Sequence, residues 1–289
     1  MVQTICICGA GTMGSGIAQL SAQVGFTTIL YELNSAVLEK AKTSIDKSLQ
    51  SLVEKEKLPG TEKEEIQNRL LFTNELQSCK ANVIIEAIVE KPELKIVLFN
   101  QLAEINDSKC IFASNTSSLS VNVIAGQIKN PERVIGMHFF NPAPVMKLVE
   151  VVNTDYTNEE TTQAIIDLAK QMDKVPVVCK DSPGFIVNRV ARPYYIEALR
   201  LAEEGISDFS TIDSLLETTG FKMGPFKLMD LIGNDINYAV SCSVYEQMHQ
   251  PERLKPSPIQ KEKVEKGELG RKTGKGYYGY SSPVDKLKS

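Results

Sequence analysis

The stretch GMHFFNPAPVMKLVE, Gly136 to Glu150, concentrates groups able to move a proton. It holds His138, one of only two histidines in the 289-residue chain, at the end of the apolar run RVIGMHFF. Histidine changes charge near neutrality without a large shift, so it is the side chain most readily used as acid and base. Asn141 follows, with Pro142 and Pro144 stiffening the loop. Glu150 lies in the next apolar run, KLVEVV, where an unpaired buried carboxylate is costly and an imidazolium is one partner that would settle it. On composition alone His138 reads equally well as a hydrogen-bonded core imidazole. His249, in the polar stretch QMHQPERLKP, reads as a surface residue.

A second constellation, Gly9-Ala10-Gly11-Thr12-Met13-Gly14, is a GxGxxG set between an apolar run and the start of a helical pattern. In that setting Gly9 permits a tight turn, Gly11 lets the backbone approach a pyrophosphate, and Gly14 lets the helix lie close to its strand. The free N–H groups opening the helix then face the phosphates. Glu32 ends the next apolar run, TTILYE. An acidic side chain there binds a ribose 2′-hydroxyl and repels a 2′-phosphate, and Leu33, Asn34 and Ser35 offer no cation to such a phosphate. The expected cofactor is NAD, with NADP fitting less well. Near the C-terminus GRKTGKG, Gly270 to Gly276, lacks the spacing and the Ser or Thr of a P-loop. It reads either as a loop with phosphate or cofactor contacts or as a solvated turn.

A nicotinamide enzyme oxidising an alcohol must take the hydroxyl proton as hydride leaves carbon. No Tyr-x-x-x-Lys occurs in the chain, and cysteines 6, 8, 79, 110, 179 and 242 include no CxxC pair for zinc. Histidine or lysine remains as the base. Cys6 and Cys8 flank Ile7 and read as small buried hydrophobes; reduced thiols fit a cytosol.

Such groups need a common sheet edge. Up to residue 180, apolar runs (ICICGAG, TTILYE, ANVIIEAIVE, KCIFASNTS, RVIGMHFF, LVEVV, VPVVCK) alternate with amphipathic stretches. The helical ones are Thr12 to Val24, roughly Ser35 to Lys57, EKEEIQNRL, PELKIVLFNQLAEI opened by Pro92, SVNVIAGQI and EETTQAIIDLAKQM. Alternation at this spacing predicts right-handed crossovers and an α/β fold with a doubly wound, mostly parallel Rossmann-type sheet over residues 1–183. Behind DSPGF, helical periodicity takes over in IVNRVARPYYIEALRLAEEG, STIDSLLETTG and LMDLIGNDINYAVSCSVYEQM, predicting an all-helical domain over residues 184–289. Pro193 should kink or break the first of these helices, and SSPVDKLKS reads as a frayed tail.

Composition limits the partners. A net charge of −4 gives no basic field for nucleic acid. No apolar run approaches a membrane span, and MVQTICICGAG carries no signal-peptide pattern, so a cytoplasmic protein is expected.

GAGTMGSGIAQ, EAIVE, SNTSSL, GMHFFNPAPVMKLVEVV, DSPGFIVNR, GPFKLMDLIG and GRKTGKGYYGY occur in the order seen in the 3-hydroxyacyl-CoA dehydrogenases. The chain resembles that family over nearly its whole length, most nearly the short bacterial 3-hydroxybutyryl-CoA dehydrogenases. A single-activity enzyme, without the hydratase module of the fused members, is expected. The resemblance implies His138 as acid/base with Glu150 on its other nitrogen, Ser117 at the substrate oxygen and nicotinamide region, and Asn188 polarising the reacting group. It also implies cofactor contacts at Asn141, Glu90, Lys95 and Lys272. Ser48 and Lys55 fall where the family touches coenzyme A, on a helix that reads equally as a solvated face. The family usually carries Asp where this chain has Glu32; either carboxylate can hold a ribose. An acyl-CoA substrate and a homodimer built through the helical domain are further implications.

Two alternatives differ in kind. A β-hydroxyacid-type dehydrogenase would place a lysine a few residues before its asparagine, whereas Phe185, Ile186 and Val187 precede Asn188. A non-catalytic relative, such as the lens λ-crystallins, is set against the complete group His138, Glu150, Ser117 and Asn188.

Overall fold

The computed structural model describes residues 2–280, so the SSPVDKLKS tail lies outside the described residues. The chain divides into two compact units at Ser182–Pro183.

In the first unit, β1 (Thr4–Cys8), α1 (Thr12–Gln23), β2 (Thr27–Tyr31), α2 (Ser35–Glu54), α3 (Gly60–Asn68) and β3 (Leu70–Thr73) come first. Then follow β4 (Val83–Glu86), α4 (Pro92–Ile105), β5 (Ile111–Ser114), α5 (Val121–Ala125), β6 (Val134–Phe139), β7 (Leu148–Asn153), α6 (Glu159–Gln171) and β8 (Val175–Lys180). They form one sheet in the order β3-β2-β1-β4-β5-β6-β7-β8. The order reverses beside β1, which makes the carboxyl end of β1 the switch point where such sheets take ligands. The central strands read as continuous apolar runs because both faces are covered. Ile5 and Ile7 pack with Ile17 of α1 and Ile85 of β4, all fully buried. Cys6 and Cys8 face the other side, equally buried. Each large aliphatic side chain so buried stabilises the fold by about 1.5–3 kcal/mol.

The register brings the site's elements level. Cys8 pairs with Tyr31 on one side and Glu86 on the other, Glu86 with Ser114, and Ser114 with Gly136. Whatever follows these positions lies along one carboxyl edge.

Two details of this sheet go beyond the mostly parallel arrangement expected from the sequence. β6 and β7 run antiparallel, since residues 140–147 are too few for a crossover of a dozen or more. The four residues LLFT form β3, a strand too short to show period or punctuation.

The second unit carries α7 (Val187–Glu203), α8 (Phe209–Thr218), α9 (Pro225–Ile232), α10 (Asn234–Gln247) and α11 (Pro258–Glu265). Pro193 does not break α7, which runs through it; tertiary bonds on either side, Arg192 Nη1 to the Asn237 carbonyl and Tyr194 Oη to the Met223 carbonyl, override the local preference. Conversely LMDLIGNDINYAV is two helices, because Gly233 at φ +104 ends α9 and starts α10. Two fully buried aspartates organise this unit. Asp213 accepts the Phe226 and Lys227 N–H groups opening α9 and the Tyr278 hydroxyl. Asp230 accepts from the Tyr277 and Tyr278 backbones and the Tyr280 hydroxyl. Among the described residues no helix is long and apolar enough to cross a membrane.

Candidate active site

The glycine turn comes first on the carboxyl edge. Gly9 has φ +102, and a Cβ there would lie 2.6 Å from the Ala87 carbonyl oxygen. A Cβ on Gly14 would lie 1.8 Å from the Gly9 carbonyl oxygen. The protein's own backbone therefore demands both glycines. Gly11 is different: a Cβ there would meet nothing within 4 Å, so any need for glycine comes from something bound. Gly11 is also the N-cap of α1, and no side chain among the described residues caps it. The first-turn N–H groups at Thr12, Met13 and Gly14 thus suit the phosphates of a dinucleotide. Glu32 Oε2 accepts the Ala10 N–H at 3.0 Å and Oε1 the Asn34 N–H at 3.1 Å, which fixes the carboxylate beside the glycine turn. The residues present fit NAD.

Past β4 lies an ion-pair network that sequence reading found only in part. Lys95, fully buried on α4, places Nζ 2.6 Å from Glu86 Oε1 and 3.0 Å from Glu90 Oε2. Glu86 also accepts the Ile88 N–H and the Ser114 hydroxyl. Glu90 accepts the Thr116 hydroxyl at 2.5 Å and the Ser117 N–H at 3.0 Å. Burial opposes charge on both carboxyls. It wins at Glu86, whose carboxyl is pushed up; at Glu90, Lys95 with the Thr116 and Ser117 bonds holds the carboxyl down. Glu86, Ser114 and Thr116 were not foreseen. A lone Glu inside the apolar run VIIE was the available signal, the same one that singled out Glu150.

His138 is near the end of β6 and is 5% exposed. Its Nδ1 lies 2.7 Å from Glu150 Oε2, itself 1% exposed. The two are direct cross-strand partners of the antiparallel pair, so their side chains leave the sheet on the same face. A carboxylate only accepts, so Nδ1 carries hydrogen and the proton-accepting nitrogen of the neutral ring is Nε2. The Phe140 ring sits 4.5 Å from the imidazole, centroid to centroid. Asn115, also unforeseen, takes the Phe139 N–H on Oδ1 at 2.9 Å and ties the loop after β5 to the end of β6.

The first unit thus brings together Gly9 to Gly14, Glu32, Glu90, Lys95, Ser117, His138 and Glu150 along one sheet edge. Asn141 follows β6, exposed. Ser48 and Lys55 are exposed at the C-terminal end of α2, away from the edge's hydrogen-bond network. In the second unit Asn188 lies in the first turn of α7. Lys272, on a 3-10 turn of the GRKTGKG loop, pairs with both oxygens of Asp235 at 2.6 and 2.7 Å.

A glycine turn at the switch point, an acid at the end of β2 and a histidine–carboxylate pair on the same edge define a dinucleotide-dependent dehydrogenase. Residues 4–182 match the 3-hydroxyacyl-CoA dehydrogenase NAD binding domain, and residues 184–280 match the C-terminal domain of the same family. The chain belongs to the 3-hydroxyacyl-CoA dehydrogenase family. It is 46% identical over 281 residues to a 3-hydroxyadipyl-CoA dehydrogenase of Escherichia coli, covering 96% of this chain but 59% of that one. It is 38% identical to the mitochondrial hydroxyacyl-coenzyme A dehydrogenase of Sus scrofa, covering 97% of this chain and 92% of that one. The crystal structure of (S)-3-hydroxybutyryl-CoA dehydrogenase from Ralstonia eutropha superposes with a TM-score of 0.92 at 37% identity, covering 98% of this chain and all of that one.

Proposed function

We propose that this chain interconverts (S)-3-hydroxyacyl-CoA and 3-oxoacyl-CoA esters, 3-hydroxybutyryl-CoA and acetoacetyl-CoA among them, with NAD(H). The observation that carries this reading is the 2.7 Å contact of His138 Nδ1 with Glu150 Oε2 on the sheet edge that bears the glycine turn. NAD supplies the acceptor for the hydride that leaves C3. His138 takes the hydroxyl proton on Nε2, and Glu150 holds the ring and stabilises the imidazolium that results. In the reverse direction the same imidazolium returns the proton to the carbonyl oxygen. Ser117, its backbone held by Glu90, and Asn188 hold the substrate oxygen. Asn141, Glu90, Lys95 and Lys272 contact the cofactor, and Ser48 and Lys55 meet coenzyme A.

The boundary near residue 183 separates a NAD-binding domain from a helical domain for substrate and dimerisation. Exposed Val190, Ile206, Leu215 and Ile236 support the second role. The free, buried cysteines 6, 8, 79 and 110 support a reducing, cytoplasmic setting. The test is loss of NADH absorbance with acetoacetyl-CoA, beside an identical assay with NADPH. Turnover with NADH is expected; absence of turnover with either nucleotide contradicts the reading.

A further inference from the structure

Ser117 lies outside helix and strand, in the loop 115–120 between β5 and α5, and side chains take the amides of that loop in succession. The Thr116 N–H donates to Ser114 Oγ at 3.4 Å and the Ser117 N–H to Glu90 Oε1 at 3.0 Å. The Ser118 and Leu119 N–H groups donate to Thr116 Oγ1 at 3.3 and 2.9 Å. Thr116 Oγ1 itself donates to Glu90 Oε1 at 2.5 Å. A hydroxyl carries one hydrogen and two lone pairs, so all three are used. Thr116 is 1% exposed.

Closing a turn accounts for only part of this arrangement. A hydroxyl closes a turn by accepting N–H groups two or three residues further on, as Thr116 does. The hydrogen it donates goes elsewhere, to a carboxylate 26 residues earlier in the chain. Thr116 and Ser117 therefore bind the same oxygen of Glu90, while Lys95 holds the other at 3.0 Å. Lys95 is fixed in turn by Glu86 at 2.6 Å. The β-branch of threonine restricts its rotamers, which keeps the hydroxyl aimed at Glu90. The Glu90 side chain is 37% exposed, so a ligand can reach its carboxylate while these inner contacts stay made.

We infer that Thr116 is a positioning residue, whose hydroxyl ties the Glu90 carboxylate to the Ser117 loop and so sets Ser117 for the substrate oxygen. This rests on the dehydrogenase reading, in which Glu90 meets the cofactor and Ser117 the substrate. Without the hydroxyl, the Ser118 and Leu119 amides lose this acceptor, Glu90 loses a donor, and the loop beside Ser117 is free to shift. A displacement near 1 Å at a substrate-positioning group costs about 10²-fold in rate.

The experiment is a double-mutant cycle on kcat with acetoacetyl-CoA and NADH, using wild type, T116V, S117A and T116V/S117A. NADH titrations and thermal melts accompany each protein. T116V and S117A should each lower kcat at least about tenfold. In the S117A background T116V should cost no more than about threefold further, because the group it positions is gone. T116S keeps the hydroxyl and should stand between T116V and wild type. NADH affinity should change little, since Lys95 still holds Glu90. A structural role alone would lower the melting temperature and multiply with S117A; a T116V loss of about tenfold in both backgrounds overturns the inference. A T116V kcat within about threefold of wild type, beside an impaired S117A, overturns it too and leaves the dehydrogenase reading intact. If S117A turns over within about threefold of wild type, the role of Ser117 falls and this inference with it. Should T116V not fold, T116A, smaller than threonine, enters the same cycle with the same outcomes.

Discussion

His138 and Glu150 face each other across one rung of the antiparallel β6–β7 pair, Nδ1 to Oε2 at 2.7 Å. The pairing is a consequence of register. The 140–147 loop sets Phe139 opposite Val149, and that places His138 opposite Glu150. Because side chains alternate faces, a slip of one residue would separate the two groups and turn one of them over.

Removing the charge of Glu150 while keeping its shape should leave the imidazole without its anchor. Glu150→Gln is expected to lower kcat by about 10²–10⁴ with little change in NADH binding. Steady-state kinetics with acetoacetyl-CoA, beside NADH titration by fluorescence, checks this.

The second and third glycines of the turn should separate fold from ligand. Gly14→Ala sets a Cβ against the Gly9 carbonyl and should lower the unfolding temperature, whereas Gly11→Ala meets nothing and should not. Gly11→Ala should instead weaken NADH binding, because its methyl enters the path of the pyrophosphate. Thermal melts and NADH titrations on the two variants measure both.

Lys95→Met strands Glu86, a fully buried carboxylate. Breaking such a pair from one side should cost about 3–5 kcal/mol, and Lys95→Met with Glu86→Leu should recover part of it. Chemical denaturation of the single and double variants gives the numbers.

Cys110 supplies a pH signature. Burial, with Asp107 adding to it and Arg133 opposing, pushes its thiol from 9.0 to about 12, and the residue is 2% exposed. Above pH 9 the unfolded chain loses this proton while the folded chain keeps it. Stability from this group is therefore complete below pH 9 and falls as pH rises toward 12, by up to about 1.4 kcal/mol per pH unit. Cys110→Ala should flatten the decline seen in denaturant melts between pH 9 and pH 11.

The sequence made the ends of the site legible and its supports much less so. Within the GxGxxG, Gly14 answers to a steric reason only five residues away, the Gly9 carbonyl, and His138 and Glu150 stand out as polar groups in apolar runs. Glu86 gives the same signal but hides in EAIVE, because its meaning depends on Lys95 and on Ser114 from the neighbouring strand. The antiparallel turn of β6 into β7 follows from loop length, a weaker cue than the alternation before it. Pro193 and Gly233 show tertiary packing and backbone sign deciding what helical periodicity left open.

The central claim is that His138 moves the proton. The most direct measurement is kcat of His138→Gln for NADH oxidation with acetoacetyl-CoA, with the NADH dissociation constant measured on the same preparation. The account predicts kcat lower by about 10²–10⁴ at unchanged NADH affinity. Turnover within threefold of wild type would contradict it.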